Sequence, residues 1–137
     1  MLPTNNAQDN KKKTECLRFV LHEKQAKSQK YVLRLEKDGI LTCWILPKGL
    51  PKNPKDKGIA VTTDDCKTDM LYFRGMEAGI HKSQAELNIE DSGNYEILLW
   101  SDLKIEFNLN GKENSGRYIL VKFEKAGPGT WILMKAE

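Results

Sequence analysis

A stretch whose side chains alternate between two faces, closed by a tight reversal, constrains this chain more than any other feature. Along residues 31–36, Tyr31, Leu33 and Leu35 point one way and Val32, Arg34 and Glu36 the other, which is the period of an extended strand with one buried face. Lys37-Asp38-Gly39 follows, with Gly39 free to take a positive φ, and residues 40–46 form a second, mostly apolar run. The pattern predicts a β-hairpin. It ends at Pro47-Lys48-Gly49, where proline cannot donate to the ladder and glycine lets the backbone bend beside an exposed lysine.

The chain's 137 residues, 39% of them hydrophobic, suffice for one domain with its own core and exclude a mainly disordered protein. With 22 basic and 19 acidic residues the net charge is +3, short of the asymmetry of a dedicated polyphosphate binder, so charge alone names no nucleic-acid partner. Cys16, Cys43 and Cys66 are an odd set without metal-type CxxC spacing, and neither a signal peptide nor a long apolar segment accompanies them. The expected setting is reducing and cytoplasmic, with no membrane partner.

Residues 1–15, with Lys11-Lys12-Lys13, have no apolar period and read as a flexible polar tail whose lysines are a solvated charge run; residues 16–137 are the folded domain. A first strand is expected at residues 17–22 and a loop at 23–30. Pro51 and Pro54 mark 50–57 as an extended surface loop, and 58–63 return to strand. Asp64-Asp65-Cys66 reads as an acidic corner, residues 70–73 as a short apolar run, and 76–84 as a loop or short helix. Strands follow at 85–90 and 94–100, separated by a turn at Asp91-Ser92-Gly93. Leu103, Ile105, Phe107 and Leu109 then alternate with polar residues up to the hairpin signal Asn110-Gly111; residues 116–124 pair back, and 130–135 close the chain. About eight short, mostly antiparallel strands predict an all-β domain, a small closed barrel or a sandwich, since closure hides strand edges.

The succession YxLRLExDGxLxxWxLPKG, NPKDKGIAV, the Asp64-Asp65 pair and FRG, then NYEILLW, LKIEFNLNGK, GRYILVKF and TWILMK, resembles the 3′-phosphoesterase domain of bacterial and archaeal ligase D over residues 17–135. The resemblance implies a small β-barrel with a cleft across one face. It also implies a manganese-dependent activity that trims 3′-terminal phosphates and ribonucleotides during non-homologous end joining. That family's chemistry rests on His-x5-His-Tyr-Asp-x-Arg-Leu-Glu, with a later His and Tyr after the acidic corner. Anchored on Tyr31, Arg34, Leu35 and Glu36, the signature puts Lys24 and Lys30 at the two histidines and Val32 at the aspartate. Cys66 falls at the later His and Met70 at the Tyr. Of the polar catalytic set only Arg34 survives.

Neither valine nor a protonated lysine offers a lone pair to a divalent manganese ion, so no cofactor is expected, and two lysines leave fixed positive charge that attracts phosphate instead. Lys24, Lys30, Arg34 and Lys48 are therefore the candidate phosphate or DNA contacts, Lys48 because it matches a family position that holds the phosphate. Against this, Arg34 has the option of pairing with Glu36, and Lys48 and Lys57 of being solvated. Cys66 with His22 or His81 is a conceivable zinc set, outweighed by a small buried thiol and two ordinary surface or strand-end histidines. Trp44, Trp100 and Trp131 sit in apolar runs and read as core rather than as base-stacking platforms. Three readings follow, in this order. The first is a catalytically silent barrel that binds DNA 3′ ends in support of a ligase, polymerase or end-bridging protein. The second is an active manganese enzyme with relocated ligands among His22, Asp64, Asp65 and Cys66, and the third is a protein-interaction barrel. Oligomeric state is not legible.

Overall fold

Residues 16–25, 30–76 and 86–136 are described in the computed structural model. The strands in chain order are β1 (Leu17–Gln25), β2 (Lys30–Lys37), β3 (Ile40–Leu46), β4 (Lys57–Cys66), β5 (Gly75–Met76), β6 (Glu86–Trp100), β7 (Lys104–Gly111), β8 (Ser115–Lys122) and β9 (Thr130–Lys135). They lie in the order β1-β2-β3-β4-β9-β8-β7-β6, and β6 pairs back onto β1 to close an antiparallel barrel of eight strands; β5 adds a two-residue edge beside the start of β6. Short 3-10 turns at Thr68–Tyr72 and Glu124–Ala126 are the only helical turns among the described residues. None of these is a helix long and apolar enough to cross a membrane. The expected tail at residues 1–15, and His81 with most of the 76–84 segment, fall outside the described residues.

The hairpin of β2 and β3 forms as its residues require, turning on Asp38 at φ 54° and Gly39 at φ 83°. Its first strand is not half-buried, however. Leu33 and Leu35 enter the barrel, and Val32 and Arg34 on the opposite face are buried as well. The 3-10 turn lays Leu71 and Met70 over that outer face, making a second small core with Val20, Val32, Leu41 and Cys43. Inside the barrel the three tryptophans meet as expected of core residues, with the Trp44 ring 6.1 Å from Trp100 and 6.3 Å from Trp131. The Trp44 indole N–H has no hydrogen-bond partner among the described residues. Trp44→Phe removes that orphaned donor along with some volume, so its cost in urea denaturation is expected to stay below about 1.5 kcal/mol. A larger loss would mean that the indole N–H is satisfied in solution.

Four sequence expectations are corrected by non-local pairing. Residues 23–25 extend β1 instead of opening a loop, because Glu23, Lys24 and Gln25 pair with β6. Asp64-Asp65-Cys66 is the end of β4 rather than a corner. Between its pairs with β3, Cys43↔Thr63 and Leu41↔Cys66, β4 carries one residue more than its partner. Such a bulge turns the following side chains to the other face, and it delivers Cys66 to the face that holds Cys43.

Asp91-Ser92-Gly93 does not turn either; it lies within the 15-residue strand β6. A second bulge, with Leu21 opposite Asp91 and His22 opposite Ile89, leaves Glu90 as the extra residue. The Asp91 carboxylate is buried against the loop that follows β7. It accepts the backbone N–H groups of Ser92, Lys112, Glu113 and Asn114 and the Asn114 side-chain amide, at 2.8–3.1 Å. Burial pushes its carboxyl up, but the donated hydrogen bonds outweigh that and hold it below the usual aspartate range. Gly111 is likewise not the turn itself. It belongs to β7 opposite Gly93, and a Cβ there would stand 2.5 Å from Asp91 Oδ2 and 2.7 Å from Phe19 Cζ.

Candidate functional site

On the outer face of β1 to β4, Lys24, Lys30, Val32, Arg34, Ile45, Thr63, Asp64 and Cys66, with Leu87 from β6, line a cleft of about 200 Å³. Strand periodicity explains the convergence. Lys24 and Lys30 are direct cross-strand partners on β1 and β2, and Lys30, Val32 and Arg34 follow at every second residue of one strand. Four of the five residues that the resemblance sets at signature positions, Lys24, Lys30, Val32 and Cys66, thus stand around one cavity with Arg34. The fifth, Met70, packs in the second core beside it. Lys48 occupies the exposed turn beyond β3 and is not among the lining residues.

Arg34 does not pair with Glu36. The two point to the same side of β2, but Glu36 accepts the backbone N–H of Arg18 instead, at 2.9 Å. Arg34 is only 5% exposed and reaches across three strands. Its Nε donates to His22 Nδ1 at 3.0 Å, and its Nη1 donates to Cys66 Sγ at 2.9 Å and to Cys43 Sγ at 3.4 Å. His22, expected at the surface or at a strand end, lies within β1 and is fully buried. With Nδ1 accepting from Arg34, the ring proton lies on Nε2, which donates to the Phe73 carbonyl at 2.9 Å. The imidazole therefore spends both nitrogens on protein partners. No carboxylate forms an ion pair with Arg34 among the described residues, and its hydrogen bonds go to an imidazole and two cysteine sulfurs.

Cys66 is half-buried, and Cys43 behind it is fully buried. Burial pushes the Cys43 thiol up to about 12, against the opposing pull of the Arg34 guanidinium. As a donor set for manganese the cleft wall is poor, supplying one carboxylate, Asp64, and one thiol beside three cationic side chains. No group of three or more His, Cys, Asp or Glu side chains stands together to hold a metal ion among the described residues.

A second, more open depression of about 420 Å³ lies on the other side of the 3-10 turn, with Arg18, Tyr72, Arg74, Ser92 and Asn94 in its wall. Arg18 Nη1 donates to the Tyr72 hydroxyl, and its guanidinium lies over the Tyr72 ring. Sequence reasoning passed over Arg18 and Arg74. They are 56 residues apart and meet only because the segment after β4 folds back over β1.

A family model described as the DNA ligase D 3′-phosphoesterase domain matches residues 22–122. The chain belongs to that family. It is 33% identical over 108 residues to the multifunctional non-homologous end joining DNA repair protein LigD of Mycobacterium tuberculosis, covering 76% of this chain and 14% of that protein. Against LigD of Mycolicibacterium smegmatis the identity is 32% over 116 residues, 77% of this chain and 15% of the relative. Against LigD of Pseudomonas aeruginosa it is 30% over 138 residues, 93% and 16%. The chain spans about one-sixth or less of the length of these relatives. Residues 22–122 run from His22 through the cleft strands to the end of β8, so the residues lining the cleft fall inside the matched region.

Proposed function

We propose that this ligase D phosphoesterase-like domain grips the phosphate of a DNA 3′ end without cleaving it, in the cytoplasm, beside a ligase, polymerase or end-bridging protein of non-homologous end joining. The observation that carries the reading is the convergence of Lys24, Lys30 and Arg34 on one cleft, against the single carboxylate Asp64. Three cations facing one anion attract phosphate and repel a divalent metal, and Val32 supplies hydrocarbon where a ligand oxygen would be needed. Manganese is accordingly not a cofactor in this reading. Lys24 and Lys30 are the outer contacts, with Arg34 a buried charge behind them. Arg18 and Arg74 in the neighbouring depression extend the basic surface toward the rest of a duplex. Lys48 lies outside the cleft and is no longer needed for phosphate contact.

Binding of a recessed duplex with a 3′-phosphate, measured from low to high salt, tests this. Affinity is expected to fall as salt rises, and Lys30→Ala is expected to flatten the slope of log K against log salt by about 1, the signature of one lost phosphate contact. An unchanged slope removes this cleft as the site. No binding at low salt, with co-purification of a repair protein, would instead favour an interaction barrel. Phosphate release from the same duplex in manganese, abolished by Asp64→Ala, would overturn the non-catalytic part of the reading.

A further inference from the structure

Two of the three free cysteines stand together, Cys66 lining the cleft and Cys43 buried behind it. The Sγ atoms of Cys43 on β3 and Cys66 on β4 are 3.7 Å apart, on one face because β4 carries an extra residue before Cys66. A disulfide holds its sulfurs at about 2 Å. The distance left to close is of the order of one side-chain rotation, beside a bulge where the ladder is already interrupted.

The two sulfurs differ in access. Cys66 is half-buried and lines the cleft, whereas Cys43 lies behind it with no exposed surface. The Arg34 guanidinium donates to both, more closely to Cys66, and a cationic donor beside a reachable sulfur is the surrounding in which cysteines react. Cys43, its thiol pushed up by burial, stays protonated until a partner sulfur is activated next to it.

We propose that Cys43 and Cys66 form a dithiol oxidised by hydrogen peroxide, with Cys66 meeting the oxidant and Cys43 resolving the product. The Cys66 sulfur, having lost its proton to solvent, attacks one peroxide oxygen. An S–O bond forms, the O–O bond breaks, and the departing hydroxide takes a proton to leave as water. Cys43 sulfur then attacks Cys66 sulfur; an S–S bond forms, the S–O bond breaks, and the second hydroxide takes the Cys43 proton and leaves as water. Two thiols and one peroxide become one disulfide and two waters: the sulfurs are oxidised and the peroxide oxygens reduced. None of this requires nucleic-acid binding.

The test treats the reduced 137-residue chain with equimolar hydrogen peroxide, blocks remaining thiols by alkylation, and maps the peptides by mass spectrometry. Loss of two alkylatable thiols is expected, in a linked Cys43–Cys66 peptide, while the exposed Cys16 remains alkylated in most molecules. With Cys43→Ser, a dione probe for sulfenic acid is expected to label Cys66. With Cys66→Ser, Cys43 is expected to stay reduced. Wild-type protein in which Cys16 is oxidised first, or in which Cys66 passes to sulfinic acid without joining Cys43, would overturn the proposal, and neither reading depends on a variant folding.

Discussion

Replacing Asp91 by alanine is expected to destabilise the barrel by about 4 kcal/mol. The carboxylate is the shared acceptor for four backbone N–H groups and one side-chain amide, and it is 3% exposed. Alanine leaves those donors facing one another in a space that water enters only by loosening the loop after β7. Gly93 and Gly111 have no side chains to fill it. Acid should produce part of the same loss in the wild type. The folded carboxyl is held below the usual aspartate range, so its contribution is fully present above the unfolded value and disappears as pH falls through the folded one. Asp91→Asn, which has no such proton to take up, should lack that share of the acid sensitivity. Urea melts of the three proteins between neutral and strongly acidic pH decide the matter. Equal acid slopes for wild type and Asp91→Asn would show that the hydrogen bonds do not survive in solution.

The second expectation concerns the altered cleft. Lys24→His, Lys30→His and Val32→Asp together should create manganese affinity about a hundredfold above that of the wild type, or about 2.7 kcal/mol of binding free energy. Lys24 and Lys30 face each other across β1 and β2, close enough for two imidazoles to share one ion, and residue 32 is the next on that face. Without metal the variant should melt earlier than wild type, because an aspartate at a position 7% exposed is buried unpaired; manganese should restore the loss by mass action. Calorimetric titration and thermal melts with and without the ion read both effects. A folded variant with no added affinity would mean that these three positions do not share an ion site, and equal affinity in the wild type would mean that the substitutions never removed one.

What could be read from residue order was whatever short-range chemistry decides. The hairpin at residues 31–46 carries its period of two and its Asp-Gly reversal within a few residues, and it formed at that place. Asp91-Ser92-Gly93 was misread because the same residue types serve two ends. They suit a turn, but here the aspartate is a buried acceptor and the glycine allows close approach, and only the pairing of β6 with β7 distinguishes these uses. In the cleft, the alternation along β2 correctly grouped Lys30, Val32 and Arg34, while the partners of Arg34 stayed hidden. His22, Cys43 and Cys66 come from three other strands, and Cys66 reaches the right face only through the extra residue in β4. Lys48 was assigned by its position in a motif; it is exposed in the turn after β3 and is not among the residues lining the cleft.

The position of β9 between β4 and β8 bears on how the molecule is made. The chain's last strand is the wedge that joins the two halves of the ring, holding β4 on one side and β8 on the other. A nascent polypeptide leaving the ribosome therefore presents two unpaired strand margins until Lys135 has emerged.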